Sequence, residues 1–146
     1  MYAADEYVLK DGAKTARVHP MRGVKQGCPL SPLLFSLYIN DVDLIAEDVR
    51  GAVTGTENVC VTHMLYADDL TLLSNEPGAL QTMLSRLNVY ARKKHLVINT
   101  LKSEVVHFNS LGNNLPVFTI SSNTLAHKDS FKYLGMMFYR TLNMAK

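Results

Sequence analysis

The chain has 146 residues, of which 47% are hydrophobic, 8% aromatic and 19% charged. This composition supports one globular core and excludes disordered, coiled-coil and collagen-like classes. Fifteen lysines and arginines against thirteen aspartates and glutamates give a formal charge of +2, which by itself is too small to indicate a polyanionic partner.

Cysteine usage and hydropathy narrow the protein class further. Cys28 and Cys60 form no CxxC or Cys/His pattern, so neither a disulfide framework nor a zinc module is expected. The longest uncharged apolar run, between Lys25 and Asp41, contains Pro29 and Pro32 and is shorter than the ~20 residues of a membrane span. The N-terminus lacks the basic start and apolar centre of a signal peptide. We therefore expect an intracellular protein, in the nucleus or cytoplasm, with no membrane partner.

A β-hairpin and a helix are predicted first. Two β-prone runs, residues 7–9 and 15–18, flank Lys10-Asp11-Gly12, and an Asp-Gly pair in this position is a hairpin signal. A helix is predicted over about Pro32 to Glu47, because Ser31 suits the N-cap, Pro32 suits the first helical position and apolar residues recur at helical spacing.

A strand, a tight turn and a strand are predicted over residues 59–73, followed by a second helix over about Pro77 to Lys94. Ser74 or Asn75 is the expected cap of this helix, and its last turn is basic. Its apolar residues recur at helical spacing, at Leu80, Met83, Leu84, Leu87 and Ala91. Shorter β-prone runs follow at 96–98, 105–108, 117–120 and 131–138, with a loop at 111–116.

The adjacent carboxylates of Asp68 and Asp69 are the first candidate site. They lie at the predicted turn after Tyr66 and Ala67, where two negative charges repel each other unless a cation neutralises them. Oxygen ligands of this kind suit a divalent cation. The alternative is a structural turn, since aspartate is common in turns for its side-chain bonds to backbone.

A glycine-containing loop, Gly23 to Pro32, is the second candidate. Its glycines allow a ligand to approach the backbone closely, and the N-terminus of the following helix favours anions such as phosphate. The alternative is an ordinary loop before a capped helix.

Four ordered motifs resemble the reverse transcriptases of non-LTR retrotransposons. Residues 23–35, Gly-Val-Lys-Gln-Gly-Cys-Pro-Leu-Ser-Pro-Leu-Leu-Phe, match the QG block of that family, and Tyr66-Ala67-Asp68-Asp69 matches its metal-binding hairpin. Residues 87–104 are similar to its helix and Asn-x-x-Lys-[Thr/Ser]-Glu segment, and residues 131–135 to its primer-gripping block. The resemblance spans about residues 22 to 138.

The resemblance implies an α+β fold, namely an incomplete polymerase palm with an antiparallel sheet and two helices packed on one face. It implies one partial domain over residues 1–146. The expected parts are an N-terminal hairpin (1–22), a palm core (23–108), and C-terminal palm strands with the primer-grip region (109–146).

The implied activity is RNA-directed DNA synthesis, in which a primer 3′-hydroxyl attacks the α-phosphate of a dNTP opposite an RNA template. Two Mg²⁺ ions, or alternatively Mn²⁺, activate the attacking oxygen and stabilise the leaving pyrophosphate. Asp68 is then the principal catalytic metal ligand and Asp69 the supporting one. Lys102 is the candidate for neutralising or protonating the pyrophosphate.

The remaining implied site residues contact nucleotide and nucleic acid. Gln26 and Gly27 would line the nucleotide and template side, Tyr66 would pack beneath the primer end, and the small Ala67 would allow its approach. The primer grip would comprise Tyr133, Leu134 and Gly135.

Several of these residues have a structural alternative. Lys102 is otherwise a solvated lysine at a strand edge, and Tyr133 is otherwise a core residue. Arg92, Lys93 and Lys94 are explained by the negative end of the helix dipole as well as by nucleic acid. The histidines at 63, 95, 107 and 127 are scattered in the sequence, and no metal role is assigned to them.

One catalytic block of the family has no match in these residues. Its first catalytic aspartate belongs to a strand well upstream of the QG block, and neither Asp5 nor Asp11 has that context. We expect the polypeptide alone to bind Mg²⁺ weakly and to polymerise negligibly, with the fingers, first palm strand and thumb of a parent polyprotein as missing partners. The alternatives are a non-catalytic nucleic-acid-binding remnant and a functionless piece of a decayed retroelement.

Overall fold

The computed structural model describes residues 9–10, 13–14, 23–25, 27–54, 59–108 and 115–141. Their helices and strands make an α+β protein, as predicted. The chain divides into two units, Met1–Asp41 and Val42–Lys146. No helix in the described ranges combines the length and apolar character that crossing a bilayer requires.

The described residues of the first unit form the predicted N-terminal hairpin and one helix. Strands β1 (Leu9–Lys10) and β2 (Ala13–Lys14) pair antiparallel, which confirms the hairpin. The connecting residues 11–12 and the predicted strand residues 7–8 and 15–18 lie outside the described ranges.

The single helix predicted over Pro32 to Glu47 is wrong. The structure has helix α1 (Ser31–Tyr38) in the first unit and a 3-10 helix (Val42–Ala46) in the second. The break falls at Ile39-Asn40-Asp41, where a β-branched residue and two short polar residues support a helix poorly because they lose side-chain freedom or bond to nearby backbone.

Helix α2 (Pro77–Lys93) lies within one residue of its predicted bounds and buries Met83, Leu84 and Ala91. Its predicted cap is wrong, because extended Glu76 occupies the N-cap position and makes no side-chain cap bond. The hydroxyl oxygen of Ser74 instead accepts a hydrogen bond from the Glu76 N–H at 3.0 Å, one residue before the helix.

The C-terminus of α2 is a Schellman motif. The backbone N–H of Leu96 donates to the Ala91 oxygen at 2.8 Å, and that of His95 to the Arg92 oxygen at 3.1 Å. His95 has φ +52°, in the left-handed position that glycine commonly fills. These bonds satisfy carbonyls that the helix end would otherwise leave unpaired.

The core of the second unit forms between α2 and the strands that follow it. Its buried residues are Leu84, Val105, Phe118, Ile120 and Leu125. The Gln81 side chain joins α2 to strand β8 (Thr119–Ile120), since its amide nitrogen donates to the Thr119 oxygen and its oxygen accepts from the Thr119 N–H, both at 3.0 Å.

The strands form six two-stranded sheets among the described residues rather than the single antiparallel sheet that we predicted. The antiparallel pairs of the second unit are β3 (Ala52–Thr54) with β4 (Val59–Val61), β5 (His63–Tyr66) with β6 (Asp69–Leu72), β8 with β9 (Asn123–Thr124), and β11 (Ser130–Tyr133) with β12 (Met136–Tyr139). Strand β7 (Glu104–Val106) pairs in parallel with β10 (Ala126–Lys128). Each ladder has two to four residue pairs, and none of these strands pairs with a third strand of the described ranges.

The predicted strand over Val59–Tyr66 is divided at Thr62 into β4 and β5. Gly51 is buried beside the end of β4, where a Cβ atom would overlap the carbonyl oxygen of Val61. Only glycine fits this close backbone approach. The run at 96–98, predicted as a strand, is irregular.

Candidate functional site

The two adjacent aspartates lie at the tip of the β5–β6 hairpin, in the strand, turn and strand that the sequence predicts. Four residue pairs connect the strands, ending at Tyr66 opposite Asp69, so Ala67 and Asp68 form a two-residue loop. Ala67 has φ +52°, a conformation that costs a non-glycine residue about 1–2 kcal/mol. The tip is therefore a strained, tight turn carrying a small residue and a carboxylate.

The hairpin tip is open to solvent. Asp68 and Asp69 are exposed and the Tyr66 side chain is 59% exposed. No group of three metal-ligating His, Cys, Asp or Glu side chains occurs in the described ranges. The two carboxylates thus offer oxygen donors of the kind that Mg²⁺ prefers, and their binding of a metal stays a prediction.

A hydrogen-bonded histidine fixes the base of the same hairpin. His63 Nε2 lies 2.9 Å from Asp43 Oδ1 of the 3-10 helix, and its Nδ1 lies 3.0 Å from the Thr62 hydroxyl. The 3-10 helix region is in turn joined to α2, because the Arg86 guanidinium donates to the Glu47 backbone oxygen. Sequence reasoning gave His63 no role, and its partner twenty residues upstream left no local signal.

The glycine-containing loop belongs to the first unit. Gly23 and Gly27 have φ +93° and +79°, which glycine adopts at little cost, and Gly27 is exposed. Gln26 lies outside the described residues. Ser31 is the first residue of α1 rather than its N-cap, and its hydroxyl donates to the Lys25 backbone oxygen at 2.6 Å, which ties the loop to the helix.

Lys102 lies on a hydrogen-bonded turn before β7, where it is exposed. The Asn99 side-chain oxygen accepts from the Lys102 N–H at 3.2 Å, and the Asn99 backbone oxygen accepts from the Ser103 hydroxyl at 3.0 Å. The Asn-x-x-Lys-Ser spacing thus has a structural basis, because asparagine and serine close the turn that presents the lysine. Its chemical role stays a prediction.

The predicted primer grip is the tip of the β11–β12 hairpin. Tyr133 pairs with Met136, and Leu134 and Gly135 form the loop with φ +48° and +85°. Positive φ at both central residues is the type I′ pattern that matches strand twist. Tyr133 is half-buried, whereas Leu134 is 54% exposed. The structure thus places these three residues on one apolar tip, and their contact with a primer stays a prediction.

His107 and His127, which sequence reasoning left without a role, meet in the second unit with ring centroids 5.3 Å apart. The parallel register aligns His127 with Val105, and the two-residue period of a strand puts His107 on the same face as Val105. His127 Nε2 lies 3.0 Å from the Pro116 oxygen and must donate, since a carbonyl only accepts.

Each of these histidines has one buried ring nitrogen without a hydrogen-bond partner among the described residues, Nε2 of His107 and Nδ1 of His127. Burial lowers the pKa of His107 below its ordinary value of 6.5, and the neighbouring His127 and Arg140 lower this pKa further. The site therefore favours a neutral His107 imidazole.

Comparison with protein families matches residues 3–138 to the family described as reverse transcriptase (RNA-dependent DNA polymerase). The match begins about twenty residues before the first motif that we recognised in the sequence. The matched region thus includes residues 3–21, which precede those motifs.

Similar proteins include mobile-element polyproteins. The chain is 28% identical over 142 residues to a "Retrovirus-related Pol polyprotein from type-1 retrotransposable element R2" of Popillia japonica, covering 92% of the chain and 23% of that protein. It is 30% identical over 145 residues to the "RNA-directed DNA polymerase from mobile element jockey" of Drosophila funebris, covering 95% and 15%. An R2 polyprotein of Nasonia vitripennis is 30% identical over 131 residues, covering 83% and 13%. The chain thus spans less than a quarter of the length of these relatives.

Proposed function

The chain belongs to the reverse transcriptase (RNA-dependent DNA polymerase) family, and we propose that it supplies part of a polymerase palm that adds dNTPs to a primer on an RNA template. Its relatives are RNA-directed DNA polymerases of non-LTR retrotransposons. The proposed palm is incomplete within these 146 residues. Fingers, a first palm strand and a thumb of a parent polyprotein would complete it.

The observation that carries this proposal is the pair of exposed carboxylates at the β5–β6 tip. Asp68 and Asp69 would hold Mg²⁺, with Mn²⁺ as a substitute, because adjacent carboxylates supply hard oxygen ligands. Such a cation supplies Lewis-acid stabilisation of the charge that develops on the phosphate oxygens. The strained Ala67 presents no side chain beyond Cβ, so a primer end can approach the tip above Tyr66.

The other predicted residues act on the nucleotide and the primer. The exposed Lys102 would neutralise or protonate the pyrophosphate, held in place by the turn that Asn99 closes. Gly27, with the neighbouring Gln26, would line the nucleotide and template side. Tyr133, Leu134 and Gly135 would contact the primer with their apolar hairpin tip.

We further propose that a carboxylate from outside these 146 residues completes the metal site. Two-metal catalysis needs ligands that bridge ions about 3.5–4 Å apart, and the described residues contain no third ligating side chain beside the hairpin. The polypeptide alone would then bind divalent cations weakly and transfer nucleotides negligibly, with catalysis reserved for the complete polymerase.

Paramagnetic broadening by Mn²⁺ tests the metal site in the chain itself. We expect the amide NMR signals of residues 66–70 to broaden first, and Asp68→Asn with Asp69→Asn to remove the effect. The matched control is Asp48→Asn, because Asp48 is exposed and has φ +56°, which asparagine tolerates. Broadening that survives the double substitution, or that Asp48→Asn removes equally, would refute the proposed site.

A further inference from the structure

The β5–β6 hairpin is attached to the rest of the second unit at its base. Among the described residues, β5 and β6 pair with each other and with no third strand. A two-stranded hairpin alone is at best marginally stable in water, so its direction depends on the side chains that hold it. Leu72 supplies one such contact, because it packs against the buried core. The direction of the tip is therefore set by contacts several residues away from Asp68 and Asp69.

The strand register divides the hairpin into two faces. Successive side chains of a strand point to opposite sides, and His63 pairs with Leu72 whereas Tyr66 pairs with Asp69. His63 and Leu72 therefore lie on one face, and Tyr66 and Asp69 lie on the other. The His63 side chain is 17% exposed, whereas Tyr66 and Asp69 are exposed. The face that carries His63 is thus the one turned toward the second unit.

The His63 ring is hydrogen-bonded at both nitrogens. Its Nε2 lies 2.9 Å from Asp43 Oδ1, and its Nδ1 lies 3.0 Å from the Thr62 hydroxyl oxygen. An ionised carboxylate only accepts hydrogen bonds, so Nε2 donates to Asp43. In the neutral imidazole, Nδ1 then accepts from the Thr62 hydroxyl. The two bonds together fix the rotation of the ring between β5 and the 3-10 helix.

Asp43 belongs to an element that the core holds in place. Its neighbours Val42 and Ile45 in the 3-10 helix are buried, and the Arg86 guanidinium of α2 donates to the Glu47 backbone oxygen. An open cleft of about 440 Å³ lies between the 3-10 helix and β5 and is lined by residues of both. The two elements are not packed together along this cleft, so the bond from Asp43 takes the place of packing there.

The bond between Asp43 and His63 contributes direction more than stability. The Asp43 side chain is 80% exposed, and exposed pairs of this kind change the ratio of folded to unfolded chain by about fivefold or less. Such a bond matters little to folding as a whole. It is nevertheless strong enough to select one direction for a hairpin that no third strand of the described residues supports.

We propose that His63 is a positioning residue, whose bond to Asp43 fixes the direction in which the β5–β6 hairpin presents Asp68 and Asp69. We call the bonded pair the hairpin clamp. Its effect on nucleotide transfer rests on the proposed function, whereas the direction of the hairpin is a property of the fold. A displacement of about 1 Å can cost about 100-fold in rate. The direction of the tip therefore matters for a metal site that an outside carboxylate completes.

Residual dipolar couplings of the isotope-labelled whole chain in EDTA test the clamp. The amide couplings of α2 define the alignment of the second unit, and in the wild type the same alignment should fit the amides of β5 and β6. His63→Phe keeps an aromatic ring and removes both hydrogen bonds, so the hairpin couplings should lose this fit while those of α2 keep it. His63→Gln places an amide N–H near the position of Nε2, and it should restore the fit.

Two variants of exposed carboxylates test the clamp from its other side. Asp43→Ala leaves the core untouched and should lose the fit as His63→Phe does. Glu47→Ala removes the same charge from the same cleft and should keep the fit. In urea unfolding, Asp43→Ala should change the equilibrium constant by about fivefold or less. A retained fit or a much larger loss of stability in Asp43→Ala, no rescue by His63→Gln, or an equal loss of fit in Glu47→Ala would overturn the proposal.

The Mn²⁺ titration separates the clamp from the proposed metal site. Asp43→Ala retains both hairpin carboxylates, so Mn²⁺ should still broaden the signals of residues 66–70, and loss of this broadening would make Asp43 a ligand and overturn its positioning role. Broadening in the wild type with an unchanged fit in Asp43→Ala rejects the clamp and leaves the proposed function standing. A lost fit in Asp43→Ala with no broadening in the wild type supports the clamp and rejects the metal site.

Discussion

Acidification is expected to destabilise the fold through His107, which meets His127 beside the β7–β10 pair. The folded-state pKa of His107 lies below its ordinary value of 6.5 because of burial, His127 and Arg140. Between those two pKa values the unfolded chain binds more protons than the folded chain, so the free energy of unfolding falls as the pH falls. Well above pH 6.5 both states are neutral at His107 and no loss occurs.

The loss of unfolding free energy can be calculated from the one proton that His107 binds in the unfolded chain. A full difference of one bound proton changes the free energy of unfolding by about 1.36 kcal/mol per pH unit. With an unfolded-state pKa of about 6.5, lowering the pH from 7.5 to 5.5 removes at most about 1.4 kcal/mol. A proton on the buried His107 Nε2 also gains no hydrogen bond, since this atom has no hydrogen-bond partner among the described residues.

Urea unfolding followed by circular dichroism at pH 7.5 and 5.5 measures this loss. His107→Phe keeps a ring beside Phe118, whose centroid lies 5.8 Å from that of His107, and removes the titrating group, so the pH dependence should decrease. His95→Asn is the control, because His95 is exposed and asparagine suits its left-handed backbone. An identical pH dependence in the wild type and His107→Phe would contradict the reasoning.

Three further perturbations have defined outcomes. Phe118→Ala empties a position that is 1% exposed and should lower the free energy of unfolding by about 3–5 kcal/mol in urea titration; a loss below about 1 kcal/mol would place the core elsewhere. The methyl group added by Gly51→Ala overlaps the Val61 carbonyl, so this substitution should lower the free energy of unfolding by about 1–3 kcal/mol. The control is Gly78→Ala, which has no atom near its Cβ position and should leave the free energy of unfolding unchanged or raise it. In primer extension on an RNA template the chain alone should yield no template-dependent product, and a product that Asp68→Asn abolishes would overturn the proposed need for an outside carboxylate.

Local patterns predicted the elements whose determinants are close in sequence. Helix α2 was predicted within one residue at its C-terminus, because Leu80, Met83, Leu84 and Ala91 repeat at the helical period. The β5–β6 hairpin was predicted because two β-prone runs flank a short polar turn. The prediction of one long first helix failed at residues 39–41, because the apolar periodicity continues there through residues that support a helix poorly.

Contacts between distant residues could not be predicted in this way. The parallel pairing of β7 with β10 joins strands about twenty residues apart, and neither strand carries a sequence signal for its partner. The meeting of His107 with His127 accompanies this pairing, and the bond from His63 to Asp43 joins a strand to a 3-10 helix twenty residues upstream. The candidate site was predicted at the level of single residues, whereas the contacts that support it became visible only in the fold.

The paired bonds between Gln81 and Thr119 also limit how the chain associates with other chains. The amide group occupies both the donor and the acceptor of Thr119 at 3.0 Å, as a neighbouring strand would. That side of β8 is therefore closed to strand addition, the route by which exposed sheet edges recruit further chains into aggregates. A single helical side chain thus protects a short strand that no other strand of the described ranges covers on that side.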